Sequence, residues 1–155
     1  MHKIGAIPFD INGNEIAILF ITSQTRGRWI FPKGTLENGE NHHGAVKREA
    51  YEEAGIKGDV LDNFPITIPI TKKTSNGVIK VPVTYYPLFV REQLEEWPEQ
   101  ESRQRHWSLL RDASKATDRA DFLHLINQFE QLSPWMLEIS KGKTKMPQAT
   151  PTQEQ

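Results

Sequence analysis

The sequence predicts a single domain of the α/β (α+β) class, and three observations predict it. A chain of 155 residues and 17.8 kDa has room for one sizeable core and not for two. β-type apolar runs joined by Asn-Gly turns fill its first fifth and its middle. Two stretches with apolar residues at helical spacing follow those runs, one short and one near the C-terminus. No repeat and no inter-domain linker interrupts the order.

Lys3 to Ile11 is a short apolar stretch, and Glu15 to Thr22 a second one rich in Ile. Between them lies Asp10-Ile11-Asn12-Gly13-Asn14, which predicts a hairpin because Asn and Gly accept the positive φ of tight turns. A polar loop, Ser23 to Arg28, leads to a short strand, Trp29-Ile30-Phe31, ended by Pro32. Gly34 to Gly39 reads as loop. Asn41 is placed to cap a helix from His42 to Ala54 that stops at Gly55. Val46, Ala50 and Ala54 give that helix a narrow apolar stripe of small side chains, suited to close packing on a sheet.

Val60 to Val90 is rich in Ile, Val, Thr and Tyr, with a further hairpin turn at Ser75-Asn76-Gly77. Pro65, Pro69, Pro82 and Pro87 predict edge strands or bulges there, since proline brings no N–H to a ladder. Arg105 to Leu110 reads as one more short strand. Phe122, Leu125, Ile126 and Phe129 predict a helix over 118–132. The domain is expected over 1–140, with 141–155, poor in large apolar groups, as a flexible tail.

The composition excludes several function classes. With no cysteine there is no disulfide scaffold, thiolate zinc site, cysteine nucleophile or iron–sulfur cluster. Nineteen basic and 20 acidic side chains leave a formal charge of -1, against bulk nucleic-acid binding or a polybasic membrane anchor. The longest apolar run, Ile16 to Ile21, is too short to span a bilayer, and the first residues carry no secretory signal pattern. A soluble cytoplasmic protein, monomeric or homodimeric, is the expectation.

The informative segment is 34–56, GTLENGENHHGAVKREAYEEAGI. On a helix turning about 100° per residue, Glu49, Glu52 and Glu53 fall within a single arc of about 100°. Arg48 sits beside them. Like charges at this spacing repel by about 0.2–0.5 kcal/mol a pair, and the C-terminal half of a helix disfavours anions. Such a face is either a solvated acidic surface or a multi-carboxylate site for a hard divalent cation, Mg²⁺ or Mn²⁺.

The flanking residues decide between these. Gly34, five residues, Glu40, seven residues, then Arg48-Glu49-Ala50-Tyr51-Glu52-Glu53-Ala54-Gly55-Ile56 resembles the Nudix box at every defined position. Trp29 to Gly34 also resembles the approach to that box. The resemblance implies an α/β/α sandwich around a mixed β-sheet, with the box as loop–helix–loop, and hydrolysis of a diphosphate linked to another moiety. It implies that Glu49, Glu52 and Glu53 hold Mg²⁺ or Mn²⁺ or activate water. It gives Arg48 and Glu40 the task of orienting helix and loop, and brings Gly34 and the Lys33 carbonyl to the metal. The proton acceptor varies within the family: Glu53 is one candidate, and Glu99 and Glu101 are candidates outside the box.

Substrate choice lies outside the box. Phe31-Pro32-Lys33-Gly34 resembles the diadenosine polyphosphate hydrolases. Trp97-Pro98-Glu99 with Arg103-Gln104-Arg105-His106-Trp107 resembles the branch acting on diphosphoinositol polyphosphates. Arg103 and Arg105 alternate, so on a strand both face one way; with Lys33 and Arg28 they are the expected phosphate contacts, ahead of Arg26. His2, His42, His43, His106 and His124 are expected in structural or surface roles. Trp29, Trp107 and Trp135 are expected as core or rim, and alternation should bury one of Tyr85 and Tyr86.

The near-zero net charge hides a segregation. Residues 92–101 carry five acids and no base, whereas 63–91 carry four bases and 22–33 three, with no acid in either. A metal-loaded acidic site bordered by basic loops suits a small, highly anionic polyphosphate. The expected activity is therefore a metal-dependent pyrophosphohydrolase of the diadenosine or diphosphoinositol polyphosphate type. A nucleotide-pool-cleaning hydrolase of nucleoside triphosphates is the alternative, followed by a non-catalytic binding module on the same fold.

Overall fold

The computed structural model describes residues 2–145. Chain order is β1 (Lys3–Asn12), β2 (Glu15–Thr22), β3 (Trp29–Ile30), β4 (Lys33–Gly34), α1 (His42–Glu49), β5 (Ile56–Val60), β6 (Ile66–Thr74), β7 (Gly77–Gln93), β8 (Arg105–Leu109) and α2 (Ala120–Lys145). Both Asn-Gly hairpins form: Asn12 pairs with Glu15 and Thr74 with Gly77, with Gly13 at φ +67° and Gly77 at φ +118°.

All eight strands join one mixed sheet. The path runs β3-β2-β1-β7-β5, with β4 added to β1, β6 to β7 and β8 to β2. β1 and β7 form its parallel pair, and every other pairing is antiparallel. One face carries Phe9, Phe20, Phe31, Tyr85 and the inward stripe of α2, including Phe122, Leu125, Ile126 and Phe129. The other carries Ile4, Ala6, Leu19, Ile21 and Leu88 against Ala45, Val46, Ala50 and Ala54. That is the expected α/β/α sandwich, and the small residues of the 42–54 segment are what let its backbone lie close on the sheet.

Several expectations are corrected. The 42–54 segment is not one α-helix: α1 ends at Glu49 and Ala50–Ala54 form a π turn, closed by Gly55 in the left-handed region (φ +67°). A projection at 100° per residue therefore fails beyond Glu49. Tyr85 and Tyr86 are both buried, because both faces of the sheet are covered. Pro87 is not at an edge; it pairs with Ile7 in the middle of the sheet. Its missing N–H does no harm, because β7 changes partner there, leaving β6 at Tyr85 and meeting β5 at Leu88. A 3₁₀ segment, Leu110–Ala116, takes up the end of the expected last strand. The C-terminal helix runs from Ala120 to Lys145, through Pro134, so 141–145 belong to it; 146–155 lie outside the described residues.

Candidate active site

The site is built on the loop before α1, α1 and the π turn. Asn41 accepts a hydrogen bond from the Gly44 N–H (2.8 Å) and so fixes the helix start. Arg48 then ties the loop to the helix. Its Nε donates to Glu40 Oε2 (2.7 Å) and its Nη2 to Glu40 Oε1 (3.0 Å) and to the Thr35 carbonyl (3.0 Å). Its Nη1 donates to Glu49 Oε2 (2.9 Å) and Glu52 Oε1 (3.3 Å). Those hydrogen bonds hold Glu40 below the usual carboxylate range and strengthen the proton affinity of Arg48.

Glu49 and Glu53 are the buried carboxyls, at 7% and 9% exposure. Each of these two carboxyls bears on the other's proton affinity. Burial pushes both up, Glu53 to about 8, with the neighbouring Glu49 adding to the rise and Arg103 opposing it. The Lys33 N–H donates to Glu53 Oε1 (3.3 Å). Gly34 makes room for Glu49: a Cβ there would lie 1.9 Å from Glu49 Oε2. Glu52 stands apart on Arg48, so among the described residues no three acidic or imidazole groups converge into a ready-made metal cage. The donor set still fits a hard cation, since Glu49 and Glu53 are buried all-oxygen ligands whose charge, once deprotonated, a divalent ion would offset.

Beside this pair opens a cleft of about 620 Å³. Lys3, Arg26, Arg28, Lys33, Lys72, Lys73 and Arg119 line it, and no acidic residue does. The base-only segments 22–33 and 63–91 thus meet around one space. Ile30, Ile70, Val81, Val83 and Phe122 supply its apolar wall. Burial, with the Lys3 charge nearby, lowers the affinity of Lys33 for its proton. Lys33 belongs to both cleft and carboxylate site.

A family profile described as the NUDIX domain matches residues 1–129. The chain belongs to the Nudix family. It is similar to Nudix hydrolase 16, mitochondrial, of Arabidopsis thaliana, with 36% identity over 124 residues covering 70% of this chain and 68% of that protein. It is 37% identical over 118 residues to a Bos taurus protein named diphosphoinositol polyphosphate phosphohydrolase 3-beta, covering 73% and 66% of the two chains. It spans from about half to two thirds of the curated relatives it matches, 51% in the case of Nudix hydrolase 12. In fold it resembles the crystal structure of a C. elegans Ap4A hydrolase binary complex, with TM-score 0.66 and 21% identity over 84% of this chain and 96% of that one. Among the described residues no helix is long and apolar enough to cross a membrane. Several relatives are named as mitochondrial or chloroplastic, so the expected cytoplasmic location draws no support from them.

Within this Nudix domain, Arg28, Arg26 and Lys33 line the cleft. Arg103 and Arg105 do not. They share one direction, but it is toward the end of the box: Arg103 lies against Glu53 and Glu99, and Arg105 against the Ala54 and Leu94 carbonyls. Arg103 commits all three of its nitrogens to Glu53, Glu99 and the Thr22 carbonyl, whereas Arg105 commits only Nη1 to backbone carbonyls. Glu99 is held by Arg103 and Gln24, whereas Glu101 is exposed. His42 bonds the Tyr86 hydroxyl (2.8 Å) and His43 bonds Asp62 (2.9 Å). Sequence reasoning missed Lys3 and Arg119 as cleft residues; Lys72 and Lys73 were visible only as part of a base-only run.

Proposed function

We propose that the chain is a divalent-metal-dependent pyrophosphohydrolase that cleaves a diphosphate linkage in a small polyanion, of the diadenosine polyphosphate or diphosphoinositol polyphosphate type. One observation carries the reading: Lys33 joins a seven-cation, acid-free cleft to the buried Glu49–Glu53 pair. Glu49, Glu52 and Glu53 would hold Mg²⁺ or Mn²⁺, with the backbone at Lys33 and Gly34 beside them. Bound there, the cation would neutralise phosphate charge and acidify water.

The chain's own groups supply the rest. The cleft cations draw in and seat the polyphosphate, where low-dielectric walls strengthen their field. Arg48 and Glu40 keep the carboxylates in place. A nucleotide-cleaning hydrolase of nucleoside triphosphates is the alternative; the cleft's sole aromatic ring, the buried Phe122, bears equally on every adenine-bearing substrate.

The test is a panel of dinucleoside polyphosphates, diphosphoinositol phosphates, nucleoside triphosphates and nucleoside diphosphate sugars, assayed with Mg²⁺ and with Mn²⁺. Metal-dependent release from one of the first two classes is the expected outcome. Exclusive turnover of nucleoside triphosphates would favour the alternative, and no turnover at all would leave a binding module.

A further inference from the structure

The carbonyls at the end of the box helix have no helical partners left, and one segment outside the box meets all of them. Glu52 O accepts from the Glu99 N–H (3.1 Å) and Glu53 O from the Trp97 indole N–H (3.1 Å). Ala54 O accepts from Arg105 Nη1 (3.1 Å) and Gly55 O from the Leu94 N–H (2.8 Å). The guanidinium of Arg105 stacks 3.9 Å from the centre of the Trp97 ring, while Trp97 also packs on Gly55, where a Cβ would lie 2.7 Å from the ring. Arg103 reaches the Glu53 carboxyl itself: its Nη2 is 3.4 Å from Glu53 Oε2 and 2.9 Å from Glu99 Oε1, and its Nη1 donates to Thr22 O (2.8 Å).

These contacts answer a particular need. Aligned carbonyls make a helix end electronegative, the worst place for an added carboxylate. Arg105, half-buried with its Nη1 on those carbonyls, offsets that charge without pairing with the Glu53 carboxyl. The planar fork also fixes direction, which a lysine would not. Because displacements of about 1 Å at a reacting group cost about 10²-fold, holding both backbone and carboxyl of Glu53 has a functional return.

We propose that Trp97, Arg103 and Arg105 are positioning residues for Glu53, bracing the end of the box helix, and are not ligands for substrate phosphate. The inference rests on the reading of Glu53 as a metal-binding carboxyl. Its test separates two affinities on the free protein: Mn²⁺, titrated by electron paramagnetic resonance, and inorganic tripolyphosphate, titrated by calorimetry without metal. Trp97→Leu and Arg105→Met should weaken Mn²⁺ binding at least tenfold while changing tripolyphosphate affinity less than twofold. Arg105→Lys, which keeps the charge but loses the fork, should stay weak for Mn²⁺. Trp97→Phe, which keeps the ring but loses the N–H, should fall between native and Trp97→Leu. Should Trp97→Leu fail to fold, Trp97→Phe and Arg105→Lys carry the comparison. In turnover of a panel substrate, kcat should fall with KM unmoved.

Unchanged Mn²⁺ affinity in Arg105→Met and the Trp97 variants overturns the proposal, and a tenfold loss of tripolyphosphate binding would restore the phosphate-contact role. Glu53→Gln serves as the reference. If it binds Mn²⁺ as tightly as the native chain, the assignment of Glu53 is at fault and the bracing role falls with it.

Discussion

Gly34 and Glu49 show how much one hydrogen atom can matter. A Cβ at Gly34 would overlap the Glu49 carboxyl, yet that group ends a flexible side chain and can swing away. Gly34→Ala should therefore fold almost as well as the native chain while losing turnover about 10²-fold, the scale of an ångström's misplacement. Parallel melting curves and kinetics check this; retained activity would show that the contact has no bearing on catalysis. Glu53→Gln should reduce turnover by orders of magnitude with the fold intact, since a neutral amide neither charges a metal site nor accepts a proton. A variant of near-native rate would remove Glu53 from the site.

In the proposed reading, the element that sets charge selection is the β6–β7 hairpin. Lys72 and Lys73 line the cleft from its exposed arm, and the hairpin is pinned just before them, where the Thr71 N–H donates to Asp121 and the Thr71 carbonyl accepts from Arg119. Replacing Lys72 and Lys73 together with Ala should raise KM by about tenfold for the longest phosphate chains and less for short ones, as about one decade per 1.4 kcal/mol allows. Raising ionic strength should narrow the gap between variant and native protein. An equal effect on every substrate would point to a structural role. At this scale the sequence was partly legible: turn residues located both hairpins, Asn41 and Gly55 bounded the box segment, and base-only runs marked the segments that wall the cleft. Partners of long side chains were not legible. Nothing in a string of letters tells a free guanidinium from one that meets Glu53 and Glu99, as Arg103 does, or backbone carbonyls, as Arg105 does. The π turn was hidden too, since Ala50 to Ala54 have ordinary helix-forming character and tertiary contacts set the wider winding.

Over the whole molecule, the carboxyl pair makes stability depend on pH. Glu53 keeps its proton up to about 8 in the fold against an ordinary 4.5, and Glu49 is raised as well. Between those values the folded chain holds a proton that the unfolded chain has released. Stability from this source is thus complete below about 4.5 and is lost as pH rises through about 8. In a chelator, Tm should fall between pH 5 and 8.5, and Glu53→Gln should flatten the decline. Millimolar Mg²⁺ should raise Tm more at pH 8.5 than at pH 5, because the cation binds the deprotonated pair. A metal-free Tm that climbs over that range would contradict the buried pairing.

The clasp on Thr71 has a second effect, on association. β6 has a strand neighbour on one side only, and its open side would otherwise offer a template for another chain. With the Thr71 N–H and carbonyl already bonded to Asp121 and Arg119, and Pro69 bringing no N–H two residues earlier, that margin has few groups left to share. The residues that anchor this arm of the cleft thereby also leave that margin few backbone groups for another strand to pair with.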